Sequence, residues 1–276
     1  LSGNATKLGD GWDGPGQNPV TLFFHFENAT PSLGQSQRQV FLDAMSDWAS
    51  VVQIHFVEVP LSDETASIDV LFARGDHCNL ETAECGDNAC IFNGSAFGVI
   101  AHAAPPPGID GPCGPPAPES FAGNIHFDKD EAFTTSSNGS GYNLQLSSTH
   151  WIGRALGLSL NLNPGDHDVM GTVEWNESYI GLSETDILQI QLGYASGGGS
   201  VTTLETLGIW VNSSYKGEER GSPGEPFNTL AEGIAGLPPH AGTITIHMLT
   251  GLYPEAVVID KPCVISADFG PVIIGQ

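Results

Sequence analysis

The run His150-Trp151-Ile152-Gly153-Arg154-Ala155-Leu156-Gly157-Leu158-Ser159-Leu160 constrains the fold more than any other stretch of this 276-residue chain. It predicts a helix over about 144–159 that carries His150, with apolar Ala155, Leu156 and Leu158 set around a turn at Gly157. Upstream, Val20–Phe26 reads as a first strand, and a helix from Ser36 through Val52 places Val40, Phe41, Met45, Trp48 and Val52 on one face. Strands at about 53–59, 67–73, 98–103 and 123–128 follow, separated by a Cys-rich loop and a Pro-rich loop at 104–118. A helix capped by Ser183 closes this α/β (α+β) order.

The same run lies over the pattern H-E-x-x-H-x-x-G-x-x-H, in which three His hold Zn²⁺ and the Glu activates water. His150 and Gly157 fill the first-His and Gly positions, whereas Trp151, Arg154 and Leu160 stand at the Glu, second-His and third-His positions. One imidazole cannot hold a catalytic zinc, and neither Trp nor Leu binds metal or moves a proton. Asp168-Val169-Met170-Gly171-Thr172 resembles the Met-turn below such a zinc site, and 182–194 resembles the closing helix. With 68–77, 98–103 and 123–131 in the same order, residues 20–196 resemble the matrixins, the matrix-metalloprotease branch of the metzincins. The departures in the motif lead to the expectation of a non-enzyme without catalytic zinc. Arg154 is expected to pair with Asp166 or Asp168 in the space the metal left, and His167 is a replacement ligand that brings the count only to two.

The resemblance implies two further metal sites. His77, His102 and His126 match a structural zinc set whose Asp position is Asn79, and His₃ plus an oxygen is sound zinc chemistry. Asp128 and Glu131 match calcium ligands, although the other half of that calcium loop is altered at Phe92-Asn93-Gly94-Ser95. Satisfied strand histidines and a solvated carboxylate pair are the plain alternatives.

The charge balance, 32 acidic against 8 basic residues, argues against nucleic acid or an anionic membrane as partner. No run of 18 apolar residues is present, and a chain beginning at Leu1 reads as a mature, exported product. Cys78, Cys85, Cys90 and Cys113 then read as two local disulfides of open pairing, and Cys263 as a buried free thiol. Asn4, Asn28, Asn93, Asn138, Asn176 and Asn212 head N-x-Ser/Thr frames, so a glycosylated, extracellular surface is expected.

The domain plan is an arm at 1–19, the matrixin-like domain at 20–196, a flexible linker at 197–200 and a distinct unit at 201–276. Gly208–Asn212, Gly224–Ile234 and Gly242–His247 resemble the turn that opens right-handed parallel β-helices, of the pectin-lyase-like kind. Strands at 256–259, 263–267 and 272–274 continue it for about two coils. So short a solenoid leaves an apolar edge. The leading expectation is therefore a secreted, inactive structural protein that polymerises through this edge and the N-terminal arm. The alternatives are a peptide- or protein-binding module and a zinc metallopeptidase with unusual ligands.

Overall fold

The computed structural model describes residues 11–14, 16–27, 34–59, 67–76, 91–92, 99–106, 122–135, 141–161, 168–171, 178–237, 244–267 and 269–275. The chain divides into two compact units, Leu1–Phe56 with Glu64–Val201, and Val57–Asp63 with Thr202–Gln276.

In the first unit, β1 (Val20–Phe26) leads into α1 (Gly34–Ala49), then β2 (Ile54–Glu58) and β3 (Ser67–Ala73). Two short strands, β4 (Gly75–Asp76) and β5 (Ile91–Phe92), pair antiparallel. β6 (Ala101–Ala103) and β7 (Ile125–Asp128) follow, and then β8 (Phe133–Thr134) and β9 (Tyr142–Asn143), which pair parallel. Helices α2 (Leu144–Ala155) and α3 (Glu184–Gln191) and strand β10 (Ser200–Thr202) complete the run. The main sheet has the order β10-β2-β1-β3-β7-β6, with β1, β3 and β7 parallel and β6 antiparallel on the end. Helix α1 turns Phe41, Met45 and Trp48 onto this sheet, all fully buried. Phe41 meets Phe127 edge-on at 5.3 Å between ring centroids, and Phe72 stacks on Phe127 at 5.2 Å.

Helix α2 starts where Asn143 Oδ1 accepts from the Leu146 amide at 3.2 Å. It ends four residues before the expected 159, because Gly157 takes φ +95° and builds a Schellman turn. In that turn the Gly157 amide donates to Arg154 O at 2.9 Å and the Leu158 amide to Gly153 O at 3.0 Å. Trp48 Nε1 donates to Thr149 O at 2.9 Å, which fixes α2 against α1.

One expectation fails here. The Gly-rich stretch 197–200 is packed chain and no flexible linker: the Gly199 amide donates to Ala49 O at 2.6 Å, and Ser200 already begins β10. A Cβ on Gly199 would stand 1.9 Å from Ile54 O, so close backbone approach, rather than freedom, explains the glycine. The described part of the N-terminal arm docks on its own chain. Trp12 Nε1 donates to Ala155 O at 2.9 Å, its amide to Tyr194 Oη at 3.1 Å, and Gln17 Nε2 to Gln191 O at 2.8 Å.

In the second unit, α4 (Leu204–Leu207) precedes β11 (Ile209–Val211), and α5 (Leu230–Ala235) precedes β12 (Ile244–Met248) and β13 (Gly251–Tyr253). β14 (Cys263–Ser266) and β15 (Val272–Ile274) close the chain. β12 lies parallel to both β11 and β14, and β13 parallel to β15. Thr229 and Glu232 form a full capping box at the start of α5. Leu230, Ile246, Met248, Phe227 and Tyr253 are among the residues of this unit's separate core. The strand expected at 256–259 is not formed; Val258 is 82 % exposed, and β13 at 251–253 supplies the paired segment instead, with Tyr253 buried. Cys263 is free, as expected, but half-buried rather than buried.

Candidate active site

Helix α2 brings His150 to a fully buried position whose Nδ1 lies 2.7 Å from the Val169 carbonyl. That bond puts the proton on Nδ1, so Nε2 carries the lone pair, the tautomer used by a metal-binding imidazole oriented through a carbonyl. Burial, and then the charge of Arg154, drive the His150 pKa down to about 4 against the opposing pull of the Val169 carbonyl. The ring is therefore neutral at any ordinary working pH.

Below it, Met170 is fully buried, and the turn that carries it is tied down at several points. The Asn161 amide donates to Met170 O at 2.6 Å, and Asn161 Nδ2 donates to Asp168 Oδ2 at 2.6 Å. Asp186, wholly buried at the start of α3, accepts from the Val169 amide at 2.9 Å and the Met170 amide at 3.2 Å. It also accepts from the Ser183 amide and Oγ, both at 3.0 Å, in the capping box of α3. Sequence reading found Ser183 but missed Asp186 as the residue that ties α3 to the turn under His150. The available signal was the S-x-x-D spacing at the helix start.

Gly153 lets α2 sit directly on this floor: a Cβ there would be 2.5 Å from Met170 Sδ and 2.8 Å from Trp48 Cζ2. Gly153→Ala gains about 1 kcal/mol of helix propensity and loses about 1–3 kcal/mol to overpacking. A net destabilisation of about 1 kcal/mol is expected, read as a lower urea midpoint with an unchanged slope.

The other motif positions differ in kind. Trp151 is half-buried and meets the His150 ring edge-on at 4.9 Å. Arg154 Nη1 donates to Leu158 O at 2.7 Å, closing the Schellman turn, while Asp168 is held by Asn161; the expected Arg154–Asp168 pair is replaced by these two bonds. Asp166 and His167 lie outside the described residues. Leu160 is 44 % exposed. Zinc fits His150 and does not fit the donor set that Arg154 and Leu160 would supply.

Of the structural-zinc set, antiparallel β6 and β7 place His102 opposite His126, with His102 Nε2 2.9 Å from His126 Nδ1. His77 lies outside the described residues, as do Cys78, Cys85, Cys90, Cys113, Asn4, Asn28, Asn93, Asn138 and Asn176. Asn212 is half-buried, and its Oδ1 accepts from the Ser214 amide at 3.0 Å. Asp128 is buried at the end of β7, and its Oδ1 accepts from the Asp130 amide at 2.9 Å. Glu131 follows in the turn, its pKa raised by partial burial and then by Asp128 and Asp130. Among the described residues, no three His, Cys, Asp or Glu side chains converge on one point. No described helix is long and apolar enough to cross a membrane.

Comparison with known proteins places this geometry. The sequence model of the family described as Matrixin matches residues 16–195. Human matrix metalloproteinase-16 is 32% identical over 151 residues, 52% of this chain and 21% of that protein. Human matrix metalloproteinase-15 is 33% identical over 197 residues, 67% of this chain and 26% of that protein. Karilysin of Tannerella forsythia is 31% identical over 142 residues, 51% of this chain and 26% of that protein. The chain thus spans about a fifth to a quarter of these relatives' length. The expectation of a non-enzyme, and with it that of no catalytic zinc, is overturned by these matches, because the relatives are named metalloproteinases. The motif count leaves the ligand set open, because ligands can come from any segment that reaches the site.

Proposed function

The chain belongs to the matrixin family, and we propose that it is a metallopeptidase of that family, acting on extended peptides with ligands other than the motif's second and third His. The observation that carries this reading is His150: within the matched region it is neutral, buried and oriented through Nδ1. Trp151, Arg154 and Leu160 are assigned no part in the chemistry. Arg154 holds the end of α2, and Asp186 holds the floor.

The peptide is expected to add as a strand along β6. This strand ends the sheet order, and its ladder is formed on the β7 side. Main-chain pairing at such an edge presents an extended chain with alternate side chains on opposite faces, the geometry a peptidase needs to hold one bond in place. An extracellular, glycosylated setting goes with this reading, supported by the Cys cluster and the N-x-Ser/Thr frames. For residues 201–276 the reading is the opening of a parallel β-helix, supported by the offsets Ile244 to Cys263 and Gly251 to Val272 between paired parallel strands.

The test is metal content by elemental analysis together with cleavage of a quenched peptide library, with and without a zinc chelator. Bound zinc with chelator-sensitive cleavage, both lost in His150→Ala, is the expected result. No cleavage by zinc-saturated, folded protein would overturn it.

A further inference from the structure

Arg154 stands one helical turn after His150, so the two side chains share the face of α2 that carries the site. It is half-buried, and its Nη1 donates to Leu158 O at 2.7 Å. Among the described residues, no carboxylate and no second acceptor meets the guanidinium. Asp168, an acid expected beside it, is held by Asn161 instead. Elsewhere the chain pairs its arginines with acids: Arg74 Nε lies 2.5 Å from Asp130 and Arg220 Nε 2.8 Å from Glu225. With 32 acidic residues against 8 basic, such partners are abundant, and Arg154 is left without one among the described residues. A guanidinium does not shed its proton in a protein, so withdrawing it from water without an anion leaves its charge uncompensated. Burial lowers the Arg154 pKa, and its charge reaches His150, where it helps hold the ring neutral.

We propose that Arg154 sets the specificity of the site by taking a carboxylate of the bound peptide. This rests on the peptidase reading for the peptide, and it names the substrate class: chains with an acidic side chain or a free C-terminus near the bond held at His150. The bond from Nη1 to Leu158 O fixes the planar fork in place and leaves its Nε–Nη2 edge for two parallel bonds to one carboxylate. A fork already held at one corner loses less freedom when the ligand arrives. At long range a chain of net charge −24 repels an acidic peptide, so selection for one has to come from a contact of this kind. Arg154 binds the substrate and takes no part in breaking the bond. The arginine that stands where the motif has its second His is thereby a recognition residue.

Fluorescence anisotropy with paired peptides tests the proposal on the whole chain. One set of pairs places Glu against Gln at each position in turn, and a second sets a free C-terminus against an amide. In one of the sets the acid member should bind about tenfold tighter than its amide twin. A gap in the first set identifies a side chain as the source of the carboxylate, and a gap in the second a chain end. Arg154→Gln should bring the two affinities to within about twofold. Arg154→Lys, which keeps the charge without the fork, should retain only part of the gap. If Arg154→Gln does not fold by circular dichroism, the unaltered protein decides. Phenylglyoxal should then modify Arg154, read by mass spectrometry of a digest, about tenfold more slowly with the acid peptide present than with its amide twin. Binding is read apart from cleavage, so the two readings fail separately. Equal affinity for acid and amide peptides, a preference that survives Arg154→Gln, or equal modification rates would sink the carboxylate site. A preference lost in Arg154→Gln without cleavage of any peptide would support it and sink only the peptidase.

Discussion

Asp186→Ala is expected to destabilise the first unit by about 3–5 kcal/mol. The carboxylate is wholly buried and accepts from two amides of the Met170 turn and from the amide and hydroxyl of Ser183. Burial pushes its pKa up, while Ser183, Val169 and Met170 pull it down. Alanine removes every acceptor at once and leaves the Val169 and Met170 amides buried without a partner, at about 1–3 kcal/mol each. Asp186→Asn keeps one acceptor oxygen and should lose about half as much. Urea unfolding at neutral pH measures both. A loss under about 1 kcal/mol for the alanine variant would mean that the turn is held by something else. Val169 gives its amide to Asp186 and its carbonyl to His150, so the same substitution should also loosen the imidazole.

That chain of contacts marks the limit of what the sequence revealed. Elements with strong period and clear punctuation were legible. β1 lies at the expected residues, α2 begins at the expected Leu144 and Ser183 caps α3, whereas the turn at Gly157 ends α2 four residues early. Register across strands also brought His102 and His126 together. What escaped depends on contacts between distant segments, which no local pattern records. The glycines at 197–199 look like a linker by composition, yet Gly199 is small because Ile54 backbone presses against it. Trp12 looks like part of a loose arm, yet it caps the end of α2. The strand expected at 256–259 fails for the same reason: β propensity is realised only where a partner edge exists, and Val258 has none among the described residues. The site was legible as a scaffold, while the expectation of a non-enzyme, drawn from Trp151, Arg154 and Leu160, is the one that the metalloproteinase relatives overturn.

The neutral state of His150 makes the first unit acid-sensitive in a window that its pKa defines. Unfolded, the imidazole takes a proton near 6.5; folded, burial and Arg154 hold it to about 4. Between those values the unfolded state binds more protons, so stability is fully present above about 6.5 and declines as pH falls toward 4. Below about 4 both states are protonated and the loss levels off. At about 1.4 kcal/mol per unit the total is about 3 kcal/mol. The measurement is urea unfolding of metal-free protein at pH 7, 5.5 and 4, alongside His150→Asn, whose amide nitrogen stands at the place of Nδ1 and keeps a neutral N–H donor for the Val169 carbonyl but does not titrate there. Carboxylates titrate in both proteins and cancel in the difference. Wild type should therefore lose about 3 kcal/mol relative to His150→Asn on going from pH 7 to pH 4. A gap that stays constant with pH would show that the folded state accommodates the imidazolium, and that burial and Arg154 do not hold the ring neutral between pH 4 and 6.5.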